Sequence, residues 1–340
     1  MKGASGVWVS MTVVSWGMTF PGTAQGVFSA SATGVLAFQS GTLSWNQVLR
    51  WRDRDGTALE AVGDPARFRD TVELSPSGDT AAVRIREDDG DNIDLWIVEL
   101  DRRLRTRFTF DSADDDDPVF TPDGGGLVWA TTVGSGTTLS RKAIGGSGEG
   151  ELVASFDHMA WPTDWHPDGN LMMVAQRVQE TPLNIDLLAL SVSAGDEPDP
   201  WQGSEFVEYG ASFSPDGRWV AYGSNESDQW EVYVAPFPGP GRKWQVSSGG
   251  GGWPRWRGDG REIIYEDPSG DLVGIGVEPR GEGLAFSEPE RLFQHKVSDG
   301  QSWDVTHDGQ RFLLVEPEEN QDPQPITVVV NWPQAIEAQR

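Results

Sequence analysis

Cysteine is missing from all 340 residues. Its absence excludes disulfides, thiolate zinc sites and a cysteine nucleophile, and it leaves the compartment open. Histidine is scarce too. Only His158, His166, His295 and His307 occur, and no two fall at metal-ligand spacing. Positive charge is also short, with 26 Lys and Arg against 53 Asp and Glu, a net charge of −27. So acidic a chain repels phosphate backbones and anionic bilayers, which argues against a nucleic-acid groove or a membrane-surface role. No stretch supplies the roughly 18 to 20 apolar residues of a membrane span. There is no Gly-rich phosphate loop, no His-Arg-Asp and no Asp-Phe-Gly, so the chain carries no kinase chemistry. A Gly-x-Ser-x-Gly elbow is missing as well. The nearest segment, around Ser147, has Glu149 where the second Gly is needed.

Glycine (41), proline (22) and tryptophan (16) are plentiful instead. The glycines fall in a ladder of turns: Ser31-Ala32-Thr33-Gly34, Ser75-Pro76-Ser77-Gly78, Thr121-Pro122-Asp123-Gly124, His166-Pro167-Asp168-Gly169, Ser214-Pro215-Asp216-Gly217, Arg257-Gly258-Asp259-Gly260 and Thr306-His307-Asp308-Gly309. Successive glycines stand 44, 46, 45, 48, 43 and 49 residues apart. Pro presets φ at the second position, Asp bonds nearby amides and Gly accepts positive φ, so each tetrapeptide is a turn. His166 and His307 belong to these turns, where a structural role is expected. A short strand precedes each turn and an apolar strand such as Trp219-Val220-Ala221-Tyr222 follows it. A third strand and a weaker fourth come after.

Four strands per unit of this length are the signature of propeller blades. The expectation is an all-β chain forming one β-propeller of seven four-stranded blades, with six as the alternative. Blade boundaries fall at about 27–70, 71–116, 117–161, 162–209, 210–252, 253–301 and 302–340. The last repeat lacks a fourth strand, so residues 1–26, through Val7 to Trp16, are expected to complete it and close the ring. The same residues also read as a weak signal peptide, with Pro21 to Gln25 as the cleavage region.

The recurring Ser-Pro-Asp-Gly turn followed by an aromatic-rich strand resembles the WD40-like repeats of TolB-type propellers over nearly the whole chain. Arg107-Phe108-Thr109-Phe110-Asp111, Trp161-Pro162-Thr163-Asp164-Trp165, Tyr233 to Gly241 and Pro325 to Trp332 are similar to the propeller that forms the C-terminal sensor of many bacterial serine/threonine kinases. That resemblance implies protein or ligand binding by a rigid ring outside the cytoplasm. The chain departs from it by having no kinase part, so it is either a stand-alone relative or a piece of a longer protein.

In a propeller the first strand of each blade lies nearest the axis. The fifth residue before each turn glycine is Ser29, Glu73, Val119, Asp164, Ser212, Arg255 or Asp304. These mostly polar positions need partners or a wet channel, which makes Glu73, Asp164, Arg255 and Asp304 candidate channel-lining residues. The loops leading into the inner strands carry Asp70, Asp116, Asp117, Trp161, Tyr209, Trp253 and Gln301. Asp70, Asp117, Trp161, Tyr209, Trp253 and Gln301 are the candidate mouth residues, since aromatic and polar groups together make recognition surfaces. Most of the Trp residues are expected between blades. Two acidic loops hold the candidate calcium ligands Asp88, Asp91, Asp115 and Asp117, although neither fits a twelve-residue calcium loop and a solvated loop is the simpler outcome. The expected function is a monomeric, non-catalytic binding module without a cofactor, taking a protein or a small polar ligand. The alternative is a metal-dependent propeller hydrolase or lyase using channel-mouth carboxylates.

Overall fold

A computed structural model describes residues 28–30, 35–39, 46–87, 92–178, 184–192, 197–239, 241–295, 302–318 and 326–330. The chain divides into two units, residues 45–318 and residues 1–44 with 319–340. Every described element is a strand.

The larger unit is a β-propeller of six blades, each an antiparallel sheet. Blade 1 holds Phe68–Leu74, Thr80–Arg86, Ile93–Glu99 and Leu104–Arg107. Blade 2 holds Asp115–Phe120, Gly126–Val133, Gly136–Ala143 and Glu151–Phe156, and blade 3 holds Ala160–Trp165, Leu171–Val178, Asn184–Ser191 and Asp199–Gln202. Blade 4 runs from Glu208–Phe213 through Trp219–Ser224 and Glu231–Pro236 to Trp244–Gln245. In blade 5, Gly252–Trp256 and Glu262–Glu266 lead to the long strand Asp271–Arg280. That strand pairs with both Gly283–Phe286 and Glu290–Gln294. Blade 6 joins two distant stretches: Trp303–Val305 and Arg311–Pro317 from one end, Gln47–Asp53 and Ala58–Ala66 from the other. Arg311 to Pro317 pair in antiparallel register with Asp53 to Gln47, which closes the ring inside a sheet and leaves no open edge there.

This corrects the expected count of seven blades. Periodic turns count hairpins, and a hairpin becomes a blade only if two more strands pair with it. The strands at 47–66 follow the first turn of the ladder, yet they pair with the last repeat. In the smaller unit Phe28–Ala30 pairs with Val35–Gln39, which pairs in turn with Ile326–Val330. The expected blades 27–70 and 302–340 are thus redistributed between blade 6 and this three-stranded sheet. The ring-closing strand expected within residues 1–26 lies outside the described residues.

The described ladder glycines all take positive φ: Gly78 (72°), Gly124 (68°), Gly169 (76°), Gly217 (69°), Gly260 (69°) and Gly309 (71°). Each donates its N–H to the carbonyl of the first turn residue, as from Gly217 to Ser214 at 2.8 Å. The turn Asp accepts from the first side chain and from the amide after the glycine, as Asp216 does from Ser214 Oγ (2.7 Å) and Arg218 N (3.2 Å).

Apolar clusters form between neighbouring blades all the way round. Leu49, Trp51 and Val62 of blade 6 meet Phe68 and Val83 of blade 1. Leu95 and Phe108 meet Phe120 and Trp129, and Leu139 and Phe156 meet Trp165 and Met172. Met173 and Leu187 meet Phe213 and Tyr222, and Trp219 and Val234 meet Ile263 and Val277. Ile264 and Phe293 meet Trp303 and Phe312, completing the circle. A blade exposes two apolar faces, so only closure buries all of them, at about 1.5–3 kcal/mol for each large side chain.

Candidate functional site

The inner strands of blades 1 to 5 share an irregularity. Pairing with the second strand slips between Arg69 and Val72, Asp116 and Val119, Pro162 and Asp164, Tyr209 and Ser212, and Gly252 and Arg255. A bulge at this place turns side chains off the sheet face and toward the channel mouth. Asp117 (φ 44°), Gly210 (φ 60°) and Trp253 (φ 54°) sit in these bulges, each seven residues before its turn glycine. Left-handed backbone at Trp253 costs a bulky residue about 1–2 kcal/mol, a strain the surrounding packing holds in place.

Above the bulges lies a cavity of about 560 Å3. Seven of the ten expected binding residues line it: Asp70, Glu73, Asp117, Trp161, Tyr209, Trp253 and Arg255. Gln301 lies outside the described residues. The sequence reading missed Arg84, Ile185, Val207, Asn225 and Trp230, which also line it. Arg84 lies on a second strand, Ile185 on a third, Asn225 and Trp230 in the loop between the second and third strands of blade 4, and Val207 just before the first strand of that blade. Arg84 did carry a signal, as the one charge within Ala81-Ala82-Val83-Arg84-Ile85.

Three rings make one wall. Tyr209 stands edge-to-face on Trp253 (centroids 4.6 Å, 69°) and on Trp230 (4.7 Å, 87°). Glycines let the backbone close around Tyr209: a Cβ on Gly223 would lie 2.8 Å from its ring and one on Gly252 2.1 Å from its hydroxyl. Burial pushes the Tyr209 hydroxyl pKa up, so it stays protonated. Trp161 packs with the clusters on both sides of blade 3 while lining the cavity.

The charged residues divide into two groups. Buried Arg84 holds Asp116 at 3.0 Å, lies 3.8 Å from Asp70 and donates to the Asp115 carbonyl at 3.2 Å. Burial raises the Asp116 carboxyl, and Arg84 opposes the rise. Deeper, Glu73, Asp164, Asp304 and Arg255 act on one another. Burial raises Glu73 well above the usual carboxylate range, the Asp304 carboxylate adds to the rise, and Arg255 opposes it. Asp164 is pushed up to about 6 by burial, against hydrogen bonds from the Phe213 and Trp165 amides.

Asp164 and Asp304 are the two expected channel residues that do not line the cavity. Each instead bonds the next blade. Asp164 Oδ2 accepts from Phe213 N at 2.7 Å, and Asp304 Oδ2 accepts from Leu74 N at 2.7 Å. Their other oxygens accept from the following amide, Trp165 at 2.7 Å and Val305 at 2.8 Å. Arg255 Nε stands 3.6 Å from Asp304.

Several solved structures are similar to this chain. A protein assigned as TolB from Agrobacterium tumefaciens matches at 15% identity and a TM-score of 0.62, covering 81% of this chain and 99% of that one. The fold is a TolB-like β-propeller. TolB from Acinetobacter baumannii follows at 14% identity and 0.52, over 86% of this chain and 80% of that one. A hydrazine synthase chain from Kuenenia stuttgartiensis aligns at 14% and 0.53, over 89% and 94%. No protein-family profile matches the chain, and no curated protein is similar to it in sequence. At these identities the likeness carries the fold and no activity.

Of the candidate calcium ligands, Asp88 and Asp91 lie outside the described residues. Asp115 is fully buried, and its Oδ1 accepts from Trp129 Nε1 (3.1 Å) and Thr131 Oγ1 (2.6 Å), while burial pushes it up to about 6. Among the described residues, no three His, Asp or Glu side chains converge as a metal site would require. No described helix is long and apolar enough to cross a membrane.

Proposed function

We propose that this propeller is a non-catalytic binding module, a sensor or scaffold that takes a protein or a small polar ligand at the loop face of its channel. One observation carries the reading: inner-strand bulges from five blades deliver aromatic and charged side chains to one cavity of about 560 Å3, within the range of pre-formed ligand sites. The expected binding residues are Glu73 and Arg255 on its floor and Asp70, Asp117, Trp161, Tyr209 and Trp253 at its mouth. A hydrolase or lyase would need carboxylates free to act. Asp164 and Asp304 spend their oxygens on backbone amides, and no cofactor enters the reading. The resemblance to kinase-linked sensors favours an extracytoplasmic, monomeric ring.

The test compares immobilised wild-type chain with Trp161→Ala and Trp253→Ala, measuring material retained from the protein's own cell extract, with melting curves as a check on folding. Folded variants that retain less support the reading. Retention unchanged in both, or turnover traced to the channel carboxylates, ends it.

A further inference from the structure

We propose that the channel-mouth cavity receives an organic ammonium group, with the Tyr209, Trp230 and Trp253 rings as its walls and the surplus carboxylates as its counter-charge. The proposal rests on the binding-module reading above and gives that site a ligand class.

Three observations point to a cation. First, four carboxylates line the cavity (Asp70, Glu73, Asp116 and Asp117) against two guanidinium groups, Arg84 and Arg255. Both guanidinium groups already face carboxylates: Arg84 faces Asp116 and Asp70, and Arg255 faces Asp304. An anionic ligand would have to displace those partners and enter a chain of net charge −27, whereas a cation meets a field of the right sign. Second, three aromatic rings packed edge-to-face, Tyr209, Trp230 and Trp253, line the cavity together. A cation within about 6 Å of such faces is attracted by the ring quadrupole, most strongly for Trp. The protein's own cations stack elsewhere, on Phe68, Trp96, Phe108, Phe110, Tyr233, Trp244 and Trp51. Third, the wall is formed before any ligand arrives. Tyr209 is wedged between Gly223 and Gly252, and the left-handed backbone at Trp253 aims that ring inward, so little ordering entropy is lost on binding. Mouth carboxylates and aromatic wall together suit an ammonium whose substituents are apolar, for the rings take the alkyl groups and the acids take the charge.

The group can reach the site on a free amine or on a lysine side chain of a protein partner, and calorimetry on the full chain separates the two. The probes are choline, its uncharged isostere 3,3-dimethylbutan-1-ol, and a short peptide carrying one central lysine, trimethylated or not. Choline or a lysine peptide is expected to bind, with the uncharged alcohol weaker by about tenfold or more. Choline binding more tightly than the peptides points to a free amine, and the reverse points to a protein partner. Trp230→Leu, at a side chain already 40% exposed, and Asp70→Asn, at a cavity-lining carboxylate about half exposed, are each expected to weaken the cation and leave the alcohol unchanged. Equal affinity for choline and the alcohol, no binding of any cationic probe, or preferential binding of inorganic phosphate overturns the proposal. Should partner retention depend on Trp253 while choline fails to compete, the binding module stands and the ammonium assignment falls.

Discussion

Asp304→Ala tests whether the channel carboxylates are mainly mortar between blades. The wild-type side chain is about 10% exposed and accepts two amides, one across the join between blades 6 and 1. Alanine leaves the Leu74 and Val305 N–H groups without that acceptor and Arg255 without its neighbour. A buried unsatisfied donor costs about 1–3 kcal/mol, so the gross loss is about 2–6 kcal/mol. Removing a buried charge returns part of it, because burial raises the Asp304 pKa. We expect a net loss of about 2–4 kcal/mol at pH 7, read from urea midpoints at constant m. The sign with pH follows from the same shift. Native Asp304 binds its proton more tightly than the unfolded chain does, so acidification favours the wild-type fold, and the gap to alanine widens as pH falls from neutrality toward the ordinary carboxylate value of 3.8. Asp164→Ala, at the equivalent place in blade 3, should cost a similar amount and add to Asp304→Ala because the two residues hold separate joins. The exposed turn carboxylate Asp216 is the control, at under about 1 kcal/mol. A loss at Asp304 no larger than that at Asp216, or a gap that narrows in acid, refutes the reasoning.

Trp253→Gly should be more stable than Trp253→Ala by about 1 kcal/mol in thermal melts, since only glycine accepts φ 54° without strain; equal stabilities would remove the strain argument. Gly78→Ala, where φ is 72° and no atom lies within 4 Å of the added Cβ, should cost about 1–2 kcal/mol from backbone strain alone; no loss would mean the turn relaxes. Asp115 and Asp164, each pushed up to about 6, should make the urea midpoint higher at pH 5 than at pH 8, by about 1 kcal/mol per group. Asp115→Asn should flatten that slope, and greater stability at pH 8 would contradict both shifts. Deleting residues 46–66 removes half of blade 6, and the remaining chain should lose cooperative unfolding; a sharp native-like melt would show that the ring closes another way.

The channel positions were readable because they sit at a fixed distance from a turn whose chemistry is local. Pro, Asp and Gly impose that turn wherever they occur, so Glu73, Asp164, Arg255 and Asp304 could be indexed from Gly78, Gly169, Gly260 and Gly309. The mouth residues Asp70, Asp117, Trp161, Tyr209 and Trp253 followed from the same count, although it placed them in loops and they lie in or beside inner-strand bulges. Arg84 and Trp230 escaped because they reach the cavity from a second strand and from the loop before a third, outside the inner strands that the turn count indexes.

The sequence alone determined the turns, the strand pattern, the blade as the repeating unit and the strongly negative charge. All of these arise from neighbouring residues or from composition. Tertiary structure alone decided that there are six blades, that Gln47–Asp53 pairs with Arg311–Pro317, and that two of the three channel carboxylates bond across blade joins. Those outcomes depend on which of several compatible strand edges meet, and that choice is made by burial across more than 250 residues of chain, a distance at which no local propensity acts.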